Sequence, residues 1–237
     1  MTKLKNSSKS YYSEIKKNAK KGDTNALFQL GYIYDNGNNG INCDYKKSFK
    51  YYHKAAVNGH PEAQCFTGIM YDFGDGVNIN RKKAYKWYRR SALQNNPVAQ
   101  FNIAKSYDKG TYLPENKSKA IKWYIKSAKN GYADAECNLG QKYEFGDDGL
   151  ERNTDKALAL YVSSAKKGCS ESQYNLGVIF QEGFIVTKDI DKALYWFKRA
   201  ASQGDENAKN YIYNIETYRE IYPKLCAIAN SNNVTKT

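Results

Sequence analysis

Small, apolar and aromatic residues recur along the chain with a period of 36 or 37 residues. Each unit opens on a small residue, and the aligned positions are Ala26, Ala63, Ala99, Ala135, Ser172 and Ala208. Five residues further on stand Gly31, Gly68, Ala104, Gly140 and Gly177, and three residues after those stand Tyr34, Tyr71, Tyr107, Tyr143 and Phe180. A register this regular predicts stacked internal repeats.

The second half of each unit has the apolar spacing of an α-helix. In the second unit, small or aromatic residues stand at offsets 0, 3, 4, 7 and 8, which are Ala84, Trp87, Tyr88, Ser91 and Ala92. This spacing places them on one helical face. Asn80 lies four residues upstream, where an amide oxygen can accept otherwise unpaired N–H groups at a helix start. A closing Gly, as at Gly131, suits the left-handed residue past a helix end.

The first half of each unit predicts a second helix that contains an internal Gly. Gly inside a helix costs about 1 kcal/mol relative to Ala, so its recurrence needs a reason. We expect a neighbouring helix to approach closely there, with aromatic side chains of the second helix filling the gap. Each unit is then a helix–turn–helix hairpin that buries its apolar face only by stacking on its neighbours.

Two tracts carry the whole pattern, AQCFTGIMYDFGDGVNINRKKAYKWYRRSALQN (63–95) and SQYNLGVIFQEGFIVTKDIDKALYWFKRAASQG (172–204). They resemble the Sel1-like repeat family, whose pattern is roughly A-x3-LG-x2-Y-x2-G-x-GV-x2-D-x2-KA-x2-WY-x-KAA-x2-G. Tetratricopeptide repeats are the near alternative, but their period is about 34 and lacks the extra turn residues. The expected fold class is all-α: a right-handed α-solenoid of stacked helix–turn–helix repeats.

The register predicts the organisation of the whole chain. An N-terminal capping helix is expected in residues 1–25, and a C-terminal capping helix with a tail in residues 208–237. Five repeats are expected between them in one continuous domain, at residues 26–62, 63–98, 99–134, 135–171 and 172–207. The last helix is expected to stop before Pro223, because Pro disfavours a helical residue ahead of it.

The composition argues against membrane insertion, metal or cofactor sites and enzymatic activity. Of 237 residues, 41% are hydrophobic and 26% are charged, as in ordinary soluble proteins. No apolar stretch is long enough for a signal peptide or a membrane span, so we expect no membrane insertion and a cytoplasmic location. Five Cys without a pairing pattern favour free thiols, and two His offer little for a metal site. We therefore expect no catalytic residues, no metal, no cofactor and no enzymatic activity.

The first helices of such hairpins line the concave side, which makes their exposed positions candidates for partner binding. An Asn amide carries one acceptor and two donors, so it can grip the backbone of an extended peptide. The alternative is that the amides only bond to an adjacent helix. The partner-binding candidates are Phe28, Tyr32, Phe101, Asn102, Asn138, Tyr174 and Asn175. An acidic row is expected near the rim of this groove, at Asp35, Asp72, Asp108 and Glu144.

Charge is distributed unevenly along the chain. The formal charge is +13, with +14 on residues 1–134 and −1 on residues 135–237. A basic stripe recurs on the second helices of the first three repeats, at Lys50, Lys54, Lys86, Arg90, Lys122 and Lys126. It could attract nucleic acid or an anionic membrane, or it could simply be a solvated face.

We interpret the chain as a protein–protein interaction scaffold or adaptor that captures a peptide or partner helix in its concave groove. The resemblance implies a protein partner without choosing one. The alternative is a basic-surface protein that binds nucleic acid.

Overall fold

The computed structural model describes residues 2–37, 40–146 and 149–234. These residues form twelve α-helices and no strand. The helices are α1 (Thr2–Lys20), α2 (Thr24–Asn36), α3 (Tyr45–Val57), α4 (Pro61–Phe73), α5 (Arg81–Leu93), α6 (Pro97–Lys109), α7 (Lys117–Lys129), α8 (Ala133–Phe145), α9 (Thr154–Lys166), α10 (Ser170–Glu182), α11 (Ile190–Ala201) and α12 (Glu206–Val234).

The structure contains two compact units. The first unit, Met1–Tyr132, contains α1 to α7, and the second, Ala133–Thr237, contains α8 to α12. Within each unit every helix packs against the next one along the chain. The predicted fold class, an all-α solenoid of stacked helix–turn–helix repeats, is confirmed.

The helix ends follow the predicted capping chemistry. Asn80 precedes α5, and its side-chain oxygen accepts a hydrogen bond from the backbone N–H of Lys83 at 2.9 Å. Gly74 ends α4 with φ of +89°, in the left-handed region where Gly carries no steric penalty. Asn95 replaces the closing Gly after α5 and adopts φ of +64°.

The recurring helical glycines allow close contact between the two helices of each hairpin. A Cβ atom on Gly177 would lie 2.5 Å from two ring atoms of Phe197. A Cβ atom on Gly68 would lie 2.7 Å from ring atoms of Tyr88. Both rings are fully buried. The prediction that aromatics of the second helix fill the space left by Gly is confirmed.

Glutamine side chains join consecutive repeats, a feature that the sequence reasoning did not single out. Gln100 is 1% exposed, and its amide nitrogen donates to the backbone oxygen of Ala92 at 3.1 Å. Its amide oxygen accepts from Asn130 at 2.9 Å. In the second unit, Gln173 donates in the same way to the backbone oxygen of Ala165 at 3.0 Å. Each such amide connects the end of one hairpin to the next, which fixes the register of the stack within its unit.

The last helix differs from the prediction that it ends before Pro223. Helix α12 spans 29 residues and contains Pro223 in its interior. Proline removes one backbone donor and costs roughly 3 kcal/mol inside a helix, which is why the sequence predicts an end there. The helix nevertheless continues beyond this residue to Val234, so this prediction is wrong.

Candidate functional site

The groove candidates lie on the first helix of several hairpins, divided between the two units. In the first unit, Phe28 and Tyr32 lie in α2, and Phe101 and Asn102 lie in α6. The second unit holds the remaining three, with Asn138 in α8 and Tyr174 and Asn175 in α10.

Two aromatic candidates of the first unit are packed against neighbouring rings. Phe28 is half-buried and stacks on His60, with ring centroids 4.5 Å apart. Phe101 is only 9% exposed, and its ring lies 5.8 Å from that of Tyr124 and 5.1 Å from that of Tyr132. Phe101 therefore contributes mainly to the core.

The other two aromatic candidates are more open. Tyr32 is 48% exposed and presents a ring to solvent. Tyr174 is half-buried, with ring centroids 5.9 Å from both Phe197 and Tyr211. Burial, followed by the nearby Tyr211, raises the pKa of the Tyr174 hydroxyl. The Tyr174 phenol therefore stays protonated at neutral pH and can donate a hydrogen bond.

The asparagine candidates are half-buried and do not bond to adjacent helices. Asn138 donates its amide to the backbone oxygen of Asp134, one turn earlier in its own helix, at 2.8 Å. Within residues 2–37, 40–146 and 149–234, the side-chain amides of Asn102 and Asn175 have no hydrogen-bond partner. Their donors and acceptors are therefore available to a ligand.

A cavity of about 260 Å³ in the first unit includes one of these amides. Its lining combines Asn102 and Lys105 of α6 with Asp72 and Phe73 at the end of α4. The Phe73 ring is 70% exposed. Arg81 also lines the cavity, with its guanidinium 3.8 Å from Asp72. The sequence reasoning missed Phe73 and Arg81, since neither belongs to the register positions it examined.

The acidic row takes part in packing the hairpins. Tyr124 donates its hydroxyl to Asp108 at 3.1 Å, and Tyr161 donates to Glu144 at 2.7 Å. Burial raises the pKa of the Asp72 carboxyl. Asp108 and Glu144 therefore accept hydrogen bonds from deeply buried tyrosines and so stabilise the fold, in addition to any role at the rim.

The basic stripe is exposed along its whole length. Its members are Lys50 and Lys54 in α3, Lys86 and Arg90 in α5, and Lys122 and Lys126 in α7. The guanidinium of Arg90 lies 4.7 Å from the ring centre of Trp87, and the Lys126 ammonium lies 4.6 Å from that of Trp123. Cation–π contact holds these two charges at defined positions.

Two cysteines that are distant in sequence meet in the second unit. The Cys137 thiol is fully buried, and it interacts electrostatically with the thiol of Cys169, the residue that precedes α10. The neighbouring Cys137 thiol lowers the pKa of Cys169 to about 6, whereas the Cys169 thiol raises the pKa of Cys137. The sequence reasoning noted no cysteine pair, because helix packing rather than spacing creates this one.

Two further features bear on the expected chemistry. Among the residues described, no group of three or more His, Cys, Asp or Glu could hold a metal ion. Within the same residues, no helix combines the length and apolar content needed to cross a bilayer.

Comparison with known proteins bears on the repeats. A model of the Sel1 repeat matches residues 24–60, 61–96, 97–132, 133–169 and 170–205. The chain is similar to the crystal structure of a Sel1 repeat protein from Oxalobacter formigenes, with 35% sequence identity and a TM-score of 0.72. That alignment covers 78% of this chain and 75% of that chain. Comparison with curated proteins gives no match.

Two other solved structures are more distant. A protective antigen present in uropathogenic Escherichia coli strains, displaying an SLR fold, has 26% identity and a TM-score of 0.52, covering 85% of this chain and 50% of that chain. An immunity protein from Pseudomonas aeruginosa has 22% identity and a TM-score of 0.55, covering 81% of this chain and 72% of that chain. The second likeness concerns the fold alone.

Proposed function

Because the chain belongs to the Sel1 repeat family, we propose that it is a non-enzymatic scaffold or adaptor that captures a peptide or partner helix in the groove of its first helices. Sel1 repeats are in general protein–protein interaction modules and typically non-catalytic. The observation that carries the finer proposal is the cavity between α4 and α6, which Asn102 lines with an amide that has no partner among the described residues.

The chemistry of the cavity suits the backbone of an extended peptide. Such a backbone presents alternating N–H and C=O groups, and the Asn102 amide can pair with both. Lys105 adds a cation for a carboxylate, and the exposed ring of Phe73 adds apolar surface for a side chain. We place this role in the cytoplasm, where exposed Cys43 and half-buried Cys169 would remain reduced.

The experiment is a selection of peptides from a displayed random library against the full chain, followed by affinity measurement with variants. Asn102→Ala should weaken the selected peptides by about two- to tenfold, the worth of one or two neutral hydrogen bonds. Asn25→Ala, an exposed amide in α2 outside the cavity, is the matched control and should leave the affinity unchanged. Asn138→Ala makes the corresponding test in the second unit.

Melting curves separate the two roles of these amides. The proposal expects both groove variants to melt close to the wild-type temperature, since neither amide bonds to an adjacent helix. If Asn102→Ala binds every selected peptide as tightly as wild type, or if its main effect is a lowered melting temperature, the groove proposal is wrong.

A further inference from the structure

The second helices of the first three hairpins share an unusual charge pattern. Together, α3, α5 and α7 contain fifteen Lys or Arg residues and no Asp or Glu. The corresponding helices of the second unit, α9 and α11, begin with Asp155 and Asp191 in their first turns. The cationic face is therefore a feature of the first unit and not of the repeat itself.

One part of this face is concave. A cavity of about 820 Å³ opens on α5, and its cationic lining consists of Lys82, Lys86, Arg89 and Arg90. The apolar part of the lining includes Tyr85 and Leu93 of α5 and Tyr112 from the loop that precedes α7. Leu93 is 65% exposed. We call the cavity that these residues line the basic cavity.

The charges of the basic cavity are not neutralised by the protein. In the part of the chain that the structure describes, none of its four cations forms an ion pair with a carboxylate. Other cations of the chain do so, as Lys167 does with Glu136 at 2.7 Å and Lys117 with Asp108 at 3.3 Å. The uncompensated charges surround an apolar floor, and this combination favours a ligand that is both anionic and apolar.

The same arrangement recurs one hairpin further along. A cavity of about 400 Å³ on α7 combines Lys122, Lys126 and Lys129 with Trp123 and Ile125. Successive cationic cavities with apolar floors fit a partner that repeats acidic and apolar groups along its length.

We propose that the basic cavity binds an acidic amphipathic segment of a partner protein. Its apolar side chains would enter between Tyr85, Tyr112 and Leu93, and its carboxylates would pair with the surrounding Lys and Arg side chains. Tyr112 lines both this cavity and the smaller one of the proposed function. Lys82, Lys86 and Leu93 line only the basic cavity, and Asn102 lines only the smaller one, so variants at these positions test the two proposals separately.

The geometry favours such a segment over nucleic acid or a membrane. Sequence-tolerant binding of single strands relies on exposed aromatic faces on which bases stack. Trp87 is only 8% exposed, and the guanidinium of Arg90 lies over its ring. A phosphate backbone is charged and offers no apolar group to pack against the exposed Leu93 side chain. A bilayer surface cannot enter a recessed cavity.

Two labelled peptides of equal charge test the proposal on the full chain. The first is a helix-forming peptide of about 14 residues, built of Glu with Leu at every third or fourth position. The second has Ser in place of each Leu. At about 150 mM salt, where exposed charges are substantially screened, we expect the Leu peptide to bind at least about tenfold more tightly than the Ser peptide.

Matched variants locate the binding site. Lys82→Gln combined with Lys86→Gln should weaken the Leu peptide about fivefold or more. Lys20→Gln combined with Lys21→Gln removes the same charge from exposed positions outside the three helices and should have no effect. Leu93→Ser should weaken the Leu peptide about threefold and leave the Ser peptide unchanged. All these positions are exposed, so melting curves should match wild type.

Three results would overturn the proposal. The first is equal binding of the two peptides, which would mean simple charge attraction. The second is tighter binding of single-stranded RNA, or of phosphatidylserine vesicles, than of the Leu peptide, with the same loss on changing Lys82 and Lys86. The third is equal weakening of the Leu peptide by the control pair at Lys20 and Lys21.

Discussion

One small residue, Gly in some repeats and Ala in another, lies at the contact between the two helices of each hairpin. We expect both exchanges, Gly to Ala in one repeat and Ala to Gly in another, to destabilise the protein. In the last hairpin this residue is Gly177, facing Phe197, and in the third hairpin it is Ala104, which is fully buried. Gly177→Ala adds a methyl group 2.5 Å from two atoms of a fully buried ring. Ala104→Gly removes a buried methyl group from a hairpin that is packed around it.

The magnitudes follow from opposing contributions. Overpacking at Gly177 costs roughly 1–3 kcal/mol, and the better helix propensity of Ala returns about 1 kcal/mol. We therefore expect Gly177→Ala to lower the free energy of unfolding by up to about 2 kcal/mol. Ala104→Gly loses about 1 kcal/mol of propensity and about 1 kcal/mol of methyl burial, a total of about 2 kcal/mol.

Urea unfolding of the full chain, followed by far-ultraviolet circular dichroism, measures both effects. Phe197→Leu provides the control, because a smaller side chain gives the added methyl group space. In that background Gly177→Ala should cost less than it does in wild type, a coupling that shows direct contact. A Gly177→Ala variant more stable than wild type, as expected for an ordinary helical glycine, would refute the reasoning.

The remaining predictions concern single side chains. Cys169, whose pKa is lowered to about 6, should react with iodoacetamide at pH 7 far faster than Cys65, whose pKa burial raises to about 12. The reaction rate at Cys169 should level off above about pH 7. A rate that rises only above about pH 8 would contradict this prediction. Asn95→Gly should raise the free energy of unfolding by up to about 1 kcal/mol, since φ there is +64°; a lower urea midpoint would contradict this. Tyr161→Phe should lower the free energy of unfolding by about 1–2 kcal/mol, because it removes the hydrogen bond to the Glu144 carboxylate. Tyr52→Phe should leave the free energy of unfolding unchanged, because the Tyr52 hydroxyl has no hydrogen-bond partner among the described residues.

The repeat and its hairpins were predictable because they rest on local, periodic signals. The spacing of Trp87 and Tyr88 defines one helical face, and Asn80 marks where that helix begins. The glycine contact could also be inferred, since an unfavourable residue that recurs in register implies a packing requirement. Gly68 meets the ring of Tyr88 as that argument predicts.

The details of the candidate site depend on contacts that the period does not encode. Phe101 and Tyr32 have similar register arguments, yet the first is 9% exposed and the second 48%, because Tyr132 covers the ring of Phe101. The amide ladder that joins the repeats consists of glutamines such as Gln100, and not of the asparagines that were singled out. Both outcomes depend on which neighbouring side chain reaches the position.

The meeting of Cys137 and Cys169 was also hidden from the sequence. The two residues lie in different positions of the repeat, and only the folding of the second unit brings the two thiols close enough to interact. The continuation of α12 through Pro223 was likewise not predicted. The local rule that the residue before a proline disfavours helix predicts an end there, but the helix continues.

The central claim is that the groove amides grip the backbone of a bound peptide. The most direct measurement is calorimetric titration of a selected peptide and its single N-methyl analogues against wild type and Asn102→Ala. N-methylation removes one backbone donor at a time. We expect one analogue to lose about two- to tenfold in affinity for wild type but nothing for Asn102→Ala. If every analogue loses the same factor against both proteins, Asn102 does not hold the peptide backbone.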